Sequence, residues 1–169
     1  MDIRVLLAKY LTCIIATIVF AQANITIKEN TTWSNDLTLS ESVNILAGAT
    51  LTINKGVNIS IEFVDLDNDD IGDIEISVAG AIHVAGTQEE VVSIKPVQNS
   101  SNKNHWRGIA IHESQDISRI EFLNISNAGK GLDIKSKLSA RGLVIKNSGQ
   151  AGITIETSRS DSIELNDIE

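Results

Sequence analysis

The sequence is poor in cysteine and in aromatic residues, and each shortage excludes a class of structure. Its single cysteine, Cys13, lies near the N-terminus, so a disulfide-stapled domain and a thiol nucleophile in the rest of the chain are excluded. Aromatic residues make up 4% of the 169 residues and hydrophobic residues 42%, so the core must be aliphatic. Ile, Leu and Val dominate beside Thr, Ser and Asn, a mixture that favours many short strands joined by polar turns.

Cationic residues are also scarce, which restricts the partners. The chain has 14 Lys and Arg residues against 22 Asp and Glu residues, a net charge of −8. This balance argues against nucleic acid and anionic membranes as partners. It is compatible with cation binding and with solubility outside the cell.

The first 23 residues have the three-part layout of a secretory signal peptide. Arg4 and Lys9 give a basic start, residues 11–20 (LTCIIATIVF) form a short apolar run, and residues 21–23 (AQA) provide a small-x-small cleavage site. The apolar run is shorter than the roughly 20 residues that a membrane-spanning helix needs. We therefore expect an exported protein, secreted or at the cell surface, whose mature domain covers residues 24–169 without a stable membrane span.

A repeat of about 20 residues is visible in the second half of the chain. The segment GIAI at Gly108 recurs as GLDI at Gly131 and as GITI at Gly152. A second repeated strand has inward positions at Ile120, Phe122 and Ile125, then Ala140, Gly142 and Ile145, then Ile163, Leu165 and Ile168. Because apolar residues alternate in each strand, stacked coils bury one continuous core, which predicts a parallel β-solenoid.

Turns and further strands extend this pattern toward the N-terminus. Asn-x-Gly turns begin at Asn127 and Asn147, and Asn tolerates left-handed backbone. The two asparagines either stack as an internal ladder or belong to unrelated surface turns. The first half predicts strands at residues 43–46, 50–53, 58–63, 73–78, 81–84 and 91–97.

Several blocks of the chain resemble bacterial right-handed parallel β-helix proteins of the pectate-lyase-like type. Residues 47–57 (AGATLTINKGV) resemble the segment that opens many such domains, and residues 78–87 (VAGAIHVAGT), 106–109 (WRGI) and 128–132 (AGKGL) follow in the family's order. The resemblance implies an all-β, right-handed parallel β-helix of several short coils. It does not specify the function, because this scaffold carries lyases, hydrolases, epimerases, adhesins and spacers.

The last predicted strand, residues 163–169, stops before its expected Asn-Gly corner, and no polar cap follows. An uncapped solenoid end presents unpaired strand edges. We therefore expect either a chain truncated at its C-terminus or a partner that covers this end.

An acidic run, DLDNDDIGD at residues 65–73, resembles the calcium loops of thrombospondin type 3 repeats. Its alternating carboxylates supply the oxygen ligands that Ca²⁺ prefers. Asp70 stands at the sixth position, where glycine normally makes the sharp turn, and the alternative is a solvated acidic loop. The run predicts a calcium site formed by Asp65, Asp67, Asp69 and Asp73.

No catalytic set is evident. His83, His105 and His112 fit no metal-binding spacing, and we expect Trp106 to pack on a coil rather than to stack on a sugar. Outward-facing candidates for a lyase or hydrolase site are Asp116, Glu121, Asp133, Lys135, Arg141 and Lys146, with no pair marked as facing across a cleft.

We therefore expect a noncatalytic β-helix module for adhesion, spacing or carbohydrate contact, with a polysaccharide or another surface protein as its partner. The alternative is the N-terminal part of a carbohydrate-active enzyme, of the polysaccharide lyase or glycoside hydrolase type, without its catalytic coils.

Overall fold

The computed structural model describes residues 24–156 and 163–169, and the predicted signal peptide lies outside them. The described residues form β-strands and turns, and none of them builds a helix long and apolar enough to cross a membrane. The strands are β1 (Asn24–Ile27), β2 (Thr31–Trp33), β3 (Leu37–Leu39), β4 (Ser42–Ile45), β5 (Thr50–Asn54), β6 (Asn58–Ile61), β7 (Glu75–Val78), β8 (Ala81–Ala85), β9 (Val92–Pro96), β10 (Trp106–Ile111), β11 (Ser118–Ser126), β12 (Ala128–Ile134), β13 (Leu138–Lys146), β14 (Ala151–Ile155) and β15 (Ile163–Ile168).

These strands form two sheets, and all their pairings are parallel. Sheet A has the order β1-β4-β7-β10-β12-β14. Sheet B has a first limb, β2-β5-β8, and a second limb, β3-β6-β9, which the long strand β11 joins before β13 and β15 continue the stack. The chain thus passes repeatedly from sheet A to sheet B and back. The all-β, parallel fold predicted from the sequence is confirmed, and it is consistent with a β-solenoid.

The core between the sheets is aliphatic, as the composition predicts. Burial alternates along the strands, and inward residues such as Ile53, Ile76 and Ile94 are completely buried. Trp106 is also completely buried, and its indole Nε1 donates a hydrogen bond to the backbone oxygen of Ser126 at 3.0 Å. The expectation that Trp106 packs on a coil is therefore confirmed.

The strand register confirms the first repeat and the β11–β13 step of the second, where Ile120 pairs with Ala140, and it corrects the step to β15. In sheet A, Ile109 pairs with Leu132, which pairs with Ile153, as the sequence repeat predicts. In sheet B, Ala140 pairs with Leu165 rather than with Ile163, so the predicted alignment of β15 is wrong by two residues. A shift of two keeps the same residues pointing inward, so the apolar alternation could not detect it.

Side chains from polar residues close the first corners, where the sequence predicted no strands. The carboxamide oxygen of Asn30 accepts a hydrogen bond from the backbone N–H of Thr50 at 3.0 Å. An oxygen of Asp36 accepts one from the backbone N–H of Asn58 at 2.7 Å. Asn and Asp side chains can replace a backbone turn partner. The corners that follow strands β1 to β3 therefore do not need the glycines found at the corners of later coils.

The Asn-x-Gly corners have the predicted backbone but not the ladder. Asn127 and Asn147 adopt left-handed φ values of 58° and 57°. The Asn127 amide donates to the carbonyl oxygens of Ser100 and Asn102 at 3.0 and 2.9 Å, so it ties the corner to the neighbouring loop instead of to Asn147. A Cβ at Gly149 would lie 1.8 Å from Oδ1 of Asn104, so a larger residue here would displace the Asn104 side chain.

Candidate functional site

The acidic loop joins β6 to β7 and is organised around Asp65. The carboxylate of Asp65 accepts hydrogen bonds from the backbone N–H groups of Asn68, Asp69 and Asp70 at 2.7, 3.2 and 3.0 Å. Asn68 and Asp70 have positive φ values of 60° and 63°. Asp70 therefore makes the left-handed turn at the position where calcium loops carry glycine, which short polar side chains tolerate.

Three of the four predicted calcium ligands come together. Oxygens of Asp65, Asp67 and Asp73 lie within 4.8 Å of one another, whereas Asp69 accepts a hydrogen bond from the backbone N–H of Ile71 at 2.8 Å. Desolvation raises the pKa of Asp67 above its usual value, and the charges of Asp69, Asp73 and Asp65 add to this effect. Clustered carboxylates repel one another, so a cation or a proton here relieves the repulsion.

Asp73 also binds a cationic side chain, that of Arg107. One oxygen accepts a hydrogen bond from the Arg107 guanidinium at 2.5 Å, and the other accepts one from the backbone N–H of Leu66 at 2.8 Å. The Arg107 bond, followed by the Leu66 bond, lowers the pKa of Asp73. A metal ion at Asp65 and Asp67 would therefore share Asp73 with Arg107.

A second loop, residues 97–105, packs against the acidic loop. The Asn102 amide donates to the carbonyl oxygen of Asp70 at 3.0 Å, and the backbone N–H of Gly72 donates to the carbonyl oxygen of Asn104 at 2.8 Å. A Cβ at Gly72 would lie 1.9 Å from the carbonyl oxygen of His105, so the two loops meet too closely for any larger residue. Together they form one rim beside sheet A.

The three histidines occupy separate structural positions. His105 is buried, with Nε2 3.1 Å from the carbonyl oxygen of Ile61, and its ring lies against Phe63. His83 Nε2 lies 3.2 Å from a backbone carbonyl oxygen, and His112 Nε2 lies 2.8 Å from Ser77 Oγ. Among the described residues, no histidine joins a group of potential metal ligands.

The outer face of sheet A carries a depression of about 220 Å³ that the acidic loop borders. We call it the sheet A depression and define it by Glu75, Arg107, Gly108, Ala110, Lys130 and Asp133. Asp69 and Ile71 of the acidic loop form part of its wall. A neighbouring depression of about 310 Å³ shares Glu75 and Arg107 and reaches Asn24, Ser42 and Asn44, so a polar trough crosses several strands.

Small residues and paired charges shape this depression. Gly108 and Ala110 on β10 leave space above the sheet, because neither has a side chain that extends outward beyond a methyl group. Lys130 Nζ donates to Oδ2 of Asp133 at 3.2 Å. Oδ1 of Asp133 is buried, and so is Oγ1 of its register partner Thr154; neither has a hydrogen-bond partner among the described residues.

The outward charges named as enzyme candidates are distributed over both sheets. Glu121 and Arg141 form an ion pair of 3.1 Å on sheet B, and Lys135 pairs with Glu156 at 3.3 Å at the end of sheet A. The Glu156 carboxylate raises the pKa of Lys135, and Asp133 and Glu75 contribute. Of the six candidates, only Asp133 lines the sheet A depression.

The remaining candidates lie away from this face. Lys146 lines a separate concavity of about 180 Å³ on the second limb of sheet B, together with Lys95 and Ser126. Asp116 lies in the exposed turn before β11. Glu75, Arg107 and Lys130 have no recognisable sequence signal, because only the strand register places them beside Asp133.

The chain matches no protein family model, and comparisons with curated proteins and with solved structures find no similar protein.

Proposed function

We propose that this chain is an exported, right-handed parallel β-helix module that contacts carbohydrate through the sheet A depression without catalysing a reaction on it. The observation that supports this function is the depression itself, which combines a floor of small residues with converging polar groups. Such a surface suits a ligand that presents both C–H groups and hydroxyls. Adhesion and spacing are compatible with the same stacked scaffold.

The right-handed coil and the pectate-lyase-like relationship are part of this proposal. The preference of parallel crossovers for the right hand supports the coil direction. The blocks at residues 47–57, 78–87 and 106–109 support the relationship.

Export is supported by the signal-peptide layout of residues 1–23. N-terminal sequencing of the protein recovered from the culture medium or the cell surface tests it. We expect a mature N-terminus at Asn24. Recovery of the full chain inside the cell, with Met1 or Asp2 at its start, contradicts export.

Filling the depression tests carbohydrate contact. Ala110 points out of β10 between the buried residues Ile109 and Ile111, so Ala110→Phe fills the depression without entering the core. We expect this variant to lose retardation in gels that contain a polysaccharide the unmodified protein binds. Thr52→Phe, an outward position on β5 in sheet B, is the matched control and should bind normally. Failure of the unmodified protein to bind any glycan in a broad panel contradicts the proposal.

The alternative, part of a carbohydrate-active enzyme, is favoured by one feature. Glu75 and Asp133 place two carboxylates on the same depression, and glycoside hydrolysis uses paired carboxylates. Incubation with polysaccharides, followed by detection of new reducing or unsaturated ends, separates the two functions. New ends that disappear in Glu75→Gln and in Asp133→Asn identify the enzyme. Binding without new ends supports the noncatalytic module.

Calcium binding by the acidic loop stays a proposal beside this function. The approach of Asp65, Asp67 and Asp73 to one another supports it, and their oxygens are ligands that Ca²⁺ prefers. Calcium at about ten times its Kd should raise the melting temperature by about 3–6 °C, because only the folded state binds it. Asp67→Asn should abolish the shift, and Asp116→Asn should keep it. An unchanged melting temperature in millimolar calcium contradicts the site.

A further inference from the structure

The charges around the sheet A depression restrict the ligand more than its shape does. Asp69, Glu75 and Asp133 line the depression, and Asp73 lines the neighbouring one. The cations on the same surfaces are Arg107 and Lys130. Four carboxylates against two cations leave a net charge of −2 on the trough at neutral pH.

Each cation already pairs with a carboxylate of the same trough. The Arg107 guanidinium binds Asp73 at 2.5 Å, and Lys130 Nζ binds Asp133 at 3.2 Å. Asp73 and Asp133 are mostly buried, with side chains 11% and 16% exposed. The positive charge of both cations is therefore offset by a neighbouring carboxylate, and an incoming carboxylate or sulfate meets the net negative charge of the trough.

The same surface offers acceptors for hydroxyl groups. Asp69, Glu75 and Asp133 line the depression with carboxylate oxygens, and the Asp133 side chain is 16% exposed. A hydroxyl that donates to the Asp133 carboxylate forms a charge-assisted hydrogen bond, about twice as strong as a neutral one. A ligand rich in hydroxyl groups gains from such contacts, whereas a carboxylate or sulfate group has no proton to donate to them.

We infer, on the basis of the carbohydrate contact proposed above, that the sheet A depression selects neutral, hydroxyl-rich glycans and rejects glycans that carry carboxylate or sulfate groups. The selection is electrostatic, so salt weakens it: counterions screen repulsion between exposed charges over about 10 Å at 0.1 M. The hydroxyl contact to buried Asp133 is screened much less.

Matched polymer pairs test the inference. Each pair shares a backbone and differs in charge: hydroxyethyl cellulose with carboxymethyl cellulose, and fully methyl-esterified polygalacturonate with its de-esterified form, among other backbones. Affinity electrophoresis at low and high salt measures the retardation of the protein. For any backbone that binds, we expect the neutral polymer to bind about tenfold more tightly at low salt. The ratio of neutral-polymer affinity to charged-polymer affinity should fall toward one as salt rises, because the charged polymer then binds more tightly.

Two substitutions test whether the charges of the sheet A depression cause the preference for neutral polymers. Glu75→Gln removes one charge and keeps the side-chain shape, so it should lower the ratio of neutral-polymer affinity to charged-polymer affinity severalfold. Glu164→Gln removes an exposed carboxylate from β15 on sheet B and should change neither. If charged polymers bind at low salt as tightly as their neutral counterparts or more tightly, and Ala110→Phe abolishes that binding, the inference is overturned. Carbohydrate contact through the depression would still hold. Absence of binding to every polymer overturns both.

Discussion

At the residue scale, the acidic loop shows what a motif can and cannot predict. The alternating carboxylates predicted a calcium site of four residues, and three of them, Asp65, Asp67 and Asp73, lie together because a short loop confines them. Asp69 turns away to a backbone N–H, a contact that depends on the positive φ of Asp70 and has no sequence signature. Arg107, which binds Asp73, comes from β10, 34 residues further along the chain, and only strand stacking places it there.

The Asp73 carboxylate should stabilise the fold in a pH-dependent way. Asp73→Ala removes the bonds from Arg107 and from the Leu66 N–H and should lower the free energy of unfolding by about 1–2 kcal/mol at pH 7, since half-exposed Arg107 keeps part of its hydration. The pKa of Asp73 is lower in the folded state than in the unfolded state. Its contribution is therefore present above the unfolded pKa of about 3.9 and is lost as the pH falls through the folded pKa.

Urea unfolding at pH 7 and in steps below pH 4 measures this dependence. The difference between the unmodified protein and Asp73→Ala should shrink with acidification. Asp116→Ala, at an exposed turn position, should cost little at either pH. A cost for Asp73→Ala that is the same at every pH contradicts the ion-pair explanation.

At the element scale, strand positions were predictable and strand registers only partly so. The predicted strands at residues 50–53 and 81–84 correspond to β5 and β8, because each combines alternating apolar residues with a neighbouring glycine. Strands β2 and β3 have only three residues each, too few for a periodic signal, and Asn30 and Asp36 rather than glycines close their corners. The alternation identifies which residues face inward but cannot separate registers that differ by two.

Gly108 should be irreplaceable because two independent constraints meet there. Its φ is 120°, at a register shift between β10 and β12, and a Cβ would lie 1.6 Å from the carbonyl oxygen of Lys130. Gly108→Ala should therefore cost more than about 4 kcal/mol, in the range of severe single substitutions. Gly48 has a φ of 82° with no atom within 4 Å of its Cβ position, so Gly48→Ala should cost only the backbone term of about 1–2 kcal/mol. Chemical denaturation compares them, and equal costs would exclude the clash.

Burial along one core row should determine the cost of truncating an isoleucine. Ile134 on β12 and Ile155 on β14 are register partners in sheet A, but Ile134 is completely buried and Ile155 is 49% exposed. Ile134→Ala should cost about 2–5 kcal/mol, because it leaves a cavity between stacked coils. Ile155→Ala should cost less than about 1 kcal/mol. Comparable losses in denaturant unfolding would mean that Ile155 is covered in solution.

At the scale of the whole molecule, two inserted loops conceal the coil period. Successive sheet A strands β4, β7 and β10 begin at residues 42, 75 and 106, whereas β12 and β14 begin at 128 and 151. The longer steps contain the acidic loop and the loop at residues 97–105. This explains why the repeat was visible only in the second half of the sequence. The acidic loop forms part of the wall of the depression, and the second loop packs against the acidic loop, so the insertions lie outside the core.

Stacking predicts a gradient of stability along the molecule. In a solenoid each coil contacts mainly its neighbours, so stability is a sum of coil and interface contributions. Strands β7 and β10 have described strands on both sides, whereas β14 and β15 have one described neighbour each. Core positions in β14 and β15 are also partly exposed, unlike those of β10 and β12.

Hydrogen exchange measured by mass spectrometry should show the slowest exchange in β7 and β10 and the fastest in β14 and β15. Ile134→Ala should accelerate exchange in β12 and β14 more than in β4. Uniform protection that collapses everywhere at once in Ile134→Ala would instead mean that the stack unfolds as a single cooperative unit.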